Sequence, residues 1–299
     1  MRICIAEKRS IEGVVTLKYV RIMAYIIRQI DRIYPGLSAR ISVELLFHPL
    51  GSSSVMSKSE KTFWEGGQSI QFPSGCCGRI FGLGGDKCIW VLHGWASRGS
   101  KLKKLITSCV EKGYEVVAWD GPAHGDSPGR RSSLAPYTSI LVDDINSFNK
   151  KPYAIIGHSF GGSAAAYACK LGVEPKFLIL ISAASSTIGV FERYWDFLGI
   201  GAKARNKFLA IVERETGVEV DSMSAVNFIS TLPQKILVIH DDRDVLVPLS
   251  DATKLKSIRS DVEIFITHGL GHNRLLESEK VFSCIFNFLK KRNDIIIKE

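Results

Sequence analysis

The sequence predicts an α/β protein built on a mainly parallel sheet with helices on both faces. Three observations predict it. Six short apolar runs recur after residue 87: Cys88–Leu92, Glu115–Trp119, Tyr153–Ile156, Phe177–Ile181, Lys235–Ile239 and Val262–Ile266. Helix-like segments separate most of them, and continuous runs of this length suit strands buried on both faces. Five of the runs lead directly into polar or glycine-rich loops, where an open parallel sheet binds its ligands.

Residues 1–65 read as a helical lead-in. Leu17 to Ile33 sets Val20, Met23, Ile27 and Ile30 at helical spacing between Arg21, Arg28 and Arg32, and Tyr34-Pro35-Gly36 ends the helix. Gly51-Ser52-Ser53-Ser54 reads as a loop. Gln68–Phe72 and Arg79–Leu83 read as two strands joined by Pro73-Ser74-Gly75. Gly82-Leu83-Gly84-Gly85-Asp86 lacks the third glycine of a dinucleotide loop and precedes a strand, so it reads as a hairpin turn. The main domain spans 66–299. Its rhythm breaks once, at 183–231, where two or three amphipathic helices carry Phe191, Tyr194, Trp195 and Phe197, then Lys203, Arg205 and Lys207. That block is a candidate lid over the strand ends.

The 299 residues are 45% hydrophobic and 23% charged, ordinary for a soluble globular chain with a large core. No apolar stretch reaches the roughly 18 to 20 residues of a membrane span. Glu7, Lys8, Arg9 and Glu12 interrupt Met1–Val20, so no secretory h-region can be drawn there and the expected location is the cytoplasm. The seven cysteines are scattered, Cys76-Cys77 is not a metal spacing and no C-x-x-C exists; neither a disulfide framework nor a metal site is expected. The net charge is +9, and residues 1–40 hold eight basic against three acidic side chains. A solvated helix face is the expected reading. Nucleic acid is not expected, because no motif accompanies the charge, and peripheral contact with anionic lipid is the less favoured reading. Oligomeric state is left open.

The chemistry concentrates in the loops. Tyr153–Ile156 leads into Gly157-His158-Ser159-Phe160-Gly161, then into helix-like Ser163–Ala168. A serine on so sharp a strand-to-helix turn is strained, its hydroxyl is pushed into the open, and the helix N-terminus behind it favours developing negative charge. The run at 88–92 leads to His93-Gly94-Trp95, and 115–119 leads to Asp120–Ser127. The run at 235–239 leads to His240-Asp241-Asp242-Arg243-Asp244 and Val247-Pro248, and 262–266 to His268-Gly269-Leu270-Gly271-His272. One edge of the sheet therefore gathers a serine, an acid and a histidine in that chain order.

In these motifs the chain resembles the α/β-hydrolase superfamily over roughly residues 68–292. The resemblance implies an α/β-hydrolase fold with a small helical lid and a Ser-Asp-His triad. Ser159 stands at the nucleophile elbow. A strand followed by H-G-x-x-D-x-x-V-P matches His240–Pro248, with Asp241 where the pattern has glycine; this puts the acid at Asp244, with Asp241 and Asp242 as rivals. G-x-G-H matches Gly269–His272, so His272 is the base, with His268 as rival. The oxyanion hole is implied at the backbone N–H groups of Trp95 and Phe160. His93 would buttress the oxyanion loop, and His124 is expected to be structural. His158, Phe191 and Trp195 are candidate substrate-binding residues, although the aromatic pair suits the lid's own core equally.

The expected activity is cleavage of a small-molecule carboxylic ester or thioester through an acyl-enzyme, without cofactor. Serine at 159 argues against dehalogenase and epoxide hydrolase chemistry, which need a carboxylate nucleophile. A different class, a ligand-binding or regulatory protein on a hydrolase scaffold, would show stoichiometric binding without turnover. Fold does not choose among esterase, thioesterase, lipase, C–C hydrolase and acyltransferase.

Overall fold

Strands buried on both faces need helices on both faces, and the chain supplies them in alternation. The computed structural model describes residues 11–51 and 56–291. Three helices come first, α1 (Ile11–Ile33), α2 (Pro35–Phe47) and α3 (Lys58–Glu65), followed by β1 (Gln68–Gln71) and β2 (Cys77–Phe81). Then come β3 (Cys88–Leu92), α4 (Lys103–Glu111), β4 (Glu115–Asp120), α5 (Leu134–Ser147), β5 (Pro152–His158), α6 (Phe160–Lys170) and β6 (Phe177–Ile181). After α7 (Thr187–Leu198) and α8 (Ala202–Thr216) the alternation resumes with β7 (Lys235–Asp241), α9 (Leu249–Ile258), β8 (Glu263–Thr267) and α10 (Glu279–Leu289). The Ser52–Ser54 part of the expected loop lies outside the described residues.

The eight strands form one sheet in the order β1-β2-β4-β3-β5-β6-β7-β8. From β4 to β8 every pairing is parallel, and β2 joins β4, and β1 joins β2, antiparallel. All residues of β3, β4 and β6 are buried, as their continuous apolar runs require. The turn at Gly82–Asp86 corrects one expectation. It joins β2 to β3, but β4 lies between them, so it is a crossover and not a hairpin turn. Local sequence specified a turn there; the choice of neighbour was made by β4, which buries Val116–Trp119 between β2 and β3.

The lead-in and lid helices pack together. Ala24 and Ile27 of α1, and Ala39, Val43 and Phe47 of α2, share a buried cluster with the lid's aromatic residues. The Tyr194 hydroxyl donates to the Ser42 carbonyl at 2.8 Å, and Asp31 accepts from Ser38 Oγ at 2.6 Å and from the Gly201 N–H at 2.8 Å. Amphipathic helices flanking a sheet this size must bury one face against something, and here α1 and α2 bury theirs against α7 and α8. No described helix is long and apolar enough to cross a membrane.

Candidate active site

Ser159 sits at the N-cap of α6 with φ 54° and ψ −120°. That conformation is costly for a residue bearing a Cβ, at roughly 1–3 kcal/mol, and persists only where its surroundings fix it. The fixing contacts are backbone. The Ser159 N–H donates to the Ile181 carbonyl at 2.8 Å, tying the turn to β6. A Cβ on Gly157 would lie 2.3 Å from the Gly161 carbonyl oxygen, and one on Gly161 would lie 2.5 Å from the carbonyl oxygens of both Leu92 and His93. The two glycines therefore let β5, α6 and the end of β3 close on one another. Gly161→Ala is expected to destabilise the protein by about 3 kcal/mol or more, because backbone must shift to admit the methyl. A urea titration reads this, and an unchanged midpoint would contradict the packing described.

The expected acid and base, Asp244 and His272, meet across the ends of β7 and β8. His272 Nδ1–H donates to Asp244 Oδ2 at 2.7 Å, while Asp244 Oδ1 accepts from the Leu246 and Val247 N–H groups at 2.9 and 3.0 Å. Burial raises the Asp244 carboxyl, but the His272 imidazole and the two N–H groups outweigh it and hold the group below the usual carboxylate range. His240 Nε2–H donates to the Val247 carbonyl at 2.9 Å and lies 3.7 Å from Asp244 Oδ2, bracing the same turn.

The two rival acids do other work. Asp242 accepts from the exposed His268 ring at 2.8 Å and from the Gly269 N–H at 3.1 Å. Asp241 is fully buried. Its carboxylate accepts from Thr267 Oγ1 at 2.7 Å and from the N–H groups of Arg243, Leu270 and Gly271 at 2.9, 2.9 and 2.8 Å. Burial alone would raise this carboxyl, yet the Gly271 N–H, the Thr267 hydroxyl and the remaining donors leave it below the usual range. The residue that replaces the pattern's glycine is thus a clamp on the loop that carries His272. The departure was visible in the sequence; its purpose was not, because its partners lie 26–30 positions away.

His158 links the two halves of the site. Its Nε2 lies 2.9 Å from the His272 carbonyl, which can only accept, so Nε2 carries the proton. The two rings lie 4.8 Å apart. Burial and then the neighbouring His272 push His158 down to about 3, so it is neutral near pH 7. Expected as a substrate contact, it also connects the Ser159 turn to the His272 loop. The Ser159 hydroxyl makes no hydrogen bond among the described residues, an arrangement common before substrate binds.

Gly94 brings the loop after β3 against the turn. A Cβ there would lie 3.2 Å from His158 Nδ1 and 3.3 Å from Ser159 Cβ. The Trp95 and Phe160 rings meet edge to face, their centroids 4.9 Å apart. The Phe160 N–H belongs to the first turn of α6 and has no helical acceptor. Two neutral imidazoles hold the loop. His93 Nδ1–H donates to the Gly94 carbonyl at 2.8 Å, and its Nε2 accepts from the Gly121 N–H at 3.2 Å. His124 Nδ1–H donates to the Pro122 carbonyl at 2.9 Å, and its Nε2 accepts from the Ala96 N–H at 3.1 Å. Burial pushes His93 down to about 3 and His124 to about 4, so neither is free to exchange protons near pH 7. Tyr137 of α5 packs on Phe160 at 4.8 Å. Sequence reading missed it, since nothing in a helix 22 residues upstream marks it as support for the turn.

Phe191 and Trp195 correct an expectation. Both are buried and pack on Phe208 of α8, with ring centroids 5.1 and 5.4 Å apart. Rings enclosed in the lid's own core offer almost no surface to a substrate, so the lining role expected of them is not supplied. Among the described residues no cluster of His, Cys, Asp and Glu could hold a metal ion.

A family model described as serine aminopeptidase, S33, matches residues 85–210, which include the Ser159 turn and end within the lid. A monoacylglycerol lipase of Mycolicibacterium smegmatis is 23% identical over 228 residues, covering 63% of this chain and 81% of the lipase. A serine hydrolase-like protein of Dictyostelium discoideum is 27% identical over 126 residues, 40% of this chain; the match spans less than a third of that relative, 31% of its length. Among solved structures, an esterase of Pyrococcus furiosus superposes with a TM-score of 0.61 at 19% identity, covering 81% of this chain and 96% of the esterase. A meta-cleavage product hydrolase of Pseudomonas fluorescens gives 0.57 at 18% identity, covering 74% and 97%. With its strand order, its strained serine turn and these matches, the chain has the α/β-hydrolase fold and is similar to members of that superfamily.

Proposed function

We propose that the protein is a serine hydrolase that cleaves a carboxylic ester or thioester through an acyl-enzyme. The observation that carries this reading is the Asp244–His272 hydrogen bond at 2.7 Å, on a loop whose His272 carbonyl is held by the residue preceding Ser159. Ser159 Oγ attacks the carbonyl carbon as His272 Nε2 takes its proton. Asp244 holds the Nδ1–H tautomer and stabilises the imidazolium. The N–H groups of Trp95 and Phe160 receive the developing oxyanion, where one donor typically contributes roughly 10²–10³ in rate. The tetrahedral intermediate collapses with expulsion of the alcohol or thiol, protonated by His272. Water, deprotonated by the same imidazole, then releases the acid and regenerates the serine. The ester class is supported by the lipase and esterase among the similar proteins.

The test is a p-nitrophenyl ester series from acetate to palmitate, followed by nitrophenolate release. Turnover should be measurable and should fall on acidification, because a protonated imidazole cannot act as base. The preferred chain length would size the acyl site. A folded protein that hydrolyses no ester or thioester, yet binds an ester ligand stoichiometrically, would replace this reading with a binding role.

A further inference from the structure

The outward face of α1 carries the side chains that the core-facing side of a helix normally carries. Ala24 and Ile27 are buried against the lid, and Asp31 on the same side bonds Ser38 and Gly201. At helical spacing, Ile22, Ile26 and Ile33 project from the opposite side, 52%, 43% and 70% exposed. Tyr25 flanks them, and Tyr34 and Leu37 continue the patch into α2, each about half to two-thirds exposed. Scattered exposed apolar residues are ordinary, but a contiguous patch of this kind marks a contact surface.

Cations border the patch. Arg21, Arg28 and Arg32 follow one another along a single flank of α1, seven and four residues apart. Beside Leu37, a groove of about 470 Å³ opens between α2 and α8, with Leu37, Ala210 and Ile211 as apolar lining and Arg40, Lys207 and Arg214 as cations. Several basic side chains elsewhere on this molecule have acidic partners, such as Lys150 with Glu115 and Lys291 with Glu263. By contrast, Arg21, Arg28, Arg40, Lys207 and Arg214 form no ion pair among the described residues, and Arg32 bonds only Gln29. A second copy of the chain docking on this face would set these cations against one another. An anionic lipid surface meets both requirements: its headgroups neutralise the arginines and its acyl boundary accepts the isoleucines and tyrosines.

We infer that the α1–α2 face, with the α2–α8 groove, is a docking surface for an anionic lipid bilayer. The face lies outside residues 85–210 except for the α8 side of the groove, and it draws on none of the proposed catalytic residues. The sequence made a solvated basic helix the expected reading. The structure adds an exposed apolar strip of Ile22, Ile26 and Ile33 beside those cations, while Ile27 faces the core.

The test is co-sedimentation of the full chain with vesicles of phosphatidylcholine alone and of phosphatidylcholine with 40% phosphatidylglycerol. Binding to the anionic vesicles only, reduced in 0.5 M salt, is expected. Two independent variants, Ile22→Ser with Ile26→Ser, and Arg40→Glu with Arg214→Glu, should each cut the bound fraction at least tenfold. Being exposed, they should leave the melting temperature within a few degrees of the parent. Wild-type protein that stays in the supernatant would overturn the inference, as would two folded variants that bind like wild type. So would a dimer by light scattering that the isoleucine variant converts to monomer, because the face would then be a subunit contact.

Discussion

Ser159→Ala is expected to lower ester turnover by roughly 10⁴- to 10⁶-fold, to the residual rate that an oxyanion hole and binding alone supply. The hydroxyl is the only group at the strained turn that can form the acyl bond, and no other nucleophile stands on that loop. Stability should barely change, since alanine bears the same Cβ and inherits the same φ of 54°. Ser159→Gly separates the two effects. It should be equally inactive but more stable, by about 1 kcal/mol, because glycine adopts positive φ without the steric cost. Turnover of the preferred p-nitrophenyl ester and urea midpoints for the three proteins check this. An active alanine variant would remove Ser159 as the nucleophile. A glycine variant no more stable than wild type would show that the turn stores no strain.

Asp244→Asn is expected to lower turnover by about 10⁴-fold, because an amide in place of the carboxylate stabilises the wrong imidazole tautomer and leaves the imidazolium unsupported. Asp242→Asn should cost less than about threefold, since that carboxylate serves only the exposed His268 and the Gly269 N–H. Asp241→Asn should fall between them. It touches no reacting group, but an amide cannot accept from all four donors, and the His272 loop would loosen. Acid sensitivity provides a second readout. The Asp244 and Asp241 carboxyls are both held below their ordinary value, so each contributes stability above the unfolded-state pKa of about 3.9. That stability is lost as the pH falls through the lower folded-state value. The two asparagine variants should therefore lose less stability than wild type between pH 5 and pH 2 in urea titrations. Equal losses would mean that these carboxylates are not selectively favoured by folding.

Much of the site was legible because its parts are local. A strand, a turn and a helix separated by glycines fit within residues 153–168, and the contacts that strain Ser159 follow from that short stretch closing on itself, on β3 and on β6. The loop after each strand was legible for the same reason: a parallel sheet delivers all its strand ends to one edge, whatever the loops contain. What was not legible depended on distant partners. Asp241 reads in sequence as a defect in the acid motif until Thr267, Leu270 and Gly271 are seen around it. Phe191 and Trp195 read equally as pocket or core until Phe208 is found packed against both.

By itself, the sequence determined the periodicities that make six central strands and their covering helices, the strained serine turn, and the order in which serine, acid and histidine enter the strand-end loops. These follow from nearest-neighbour sterics and from burial patterns a few residues long. Tertiary structure alone decided that β4 inserts between β2 and β3, that Asp244 reaches His272 while Asp241 clamps the loop, and that α1 turns Ile22, Ile26 and Ile33 outward while Ile27 is buried. Each of those outcomes is a choice among partners far apart in the chain, and a partner is selected by the total surface it buries and the donors it satisfies, which no local pattern encodes.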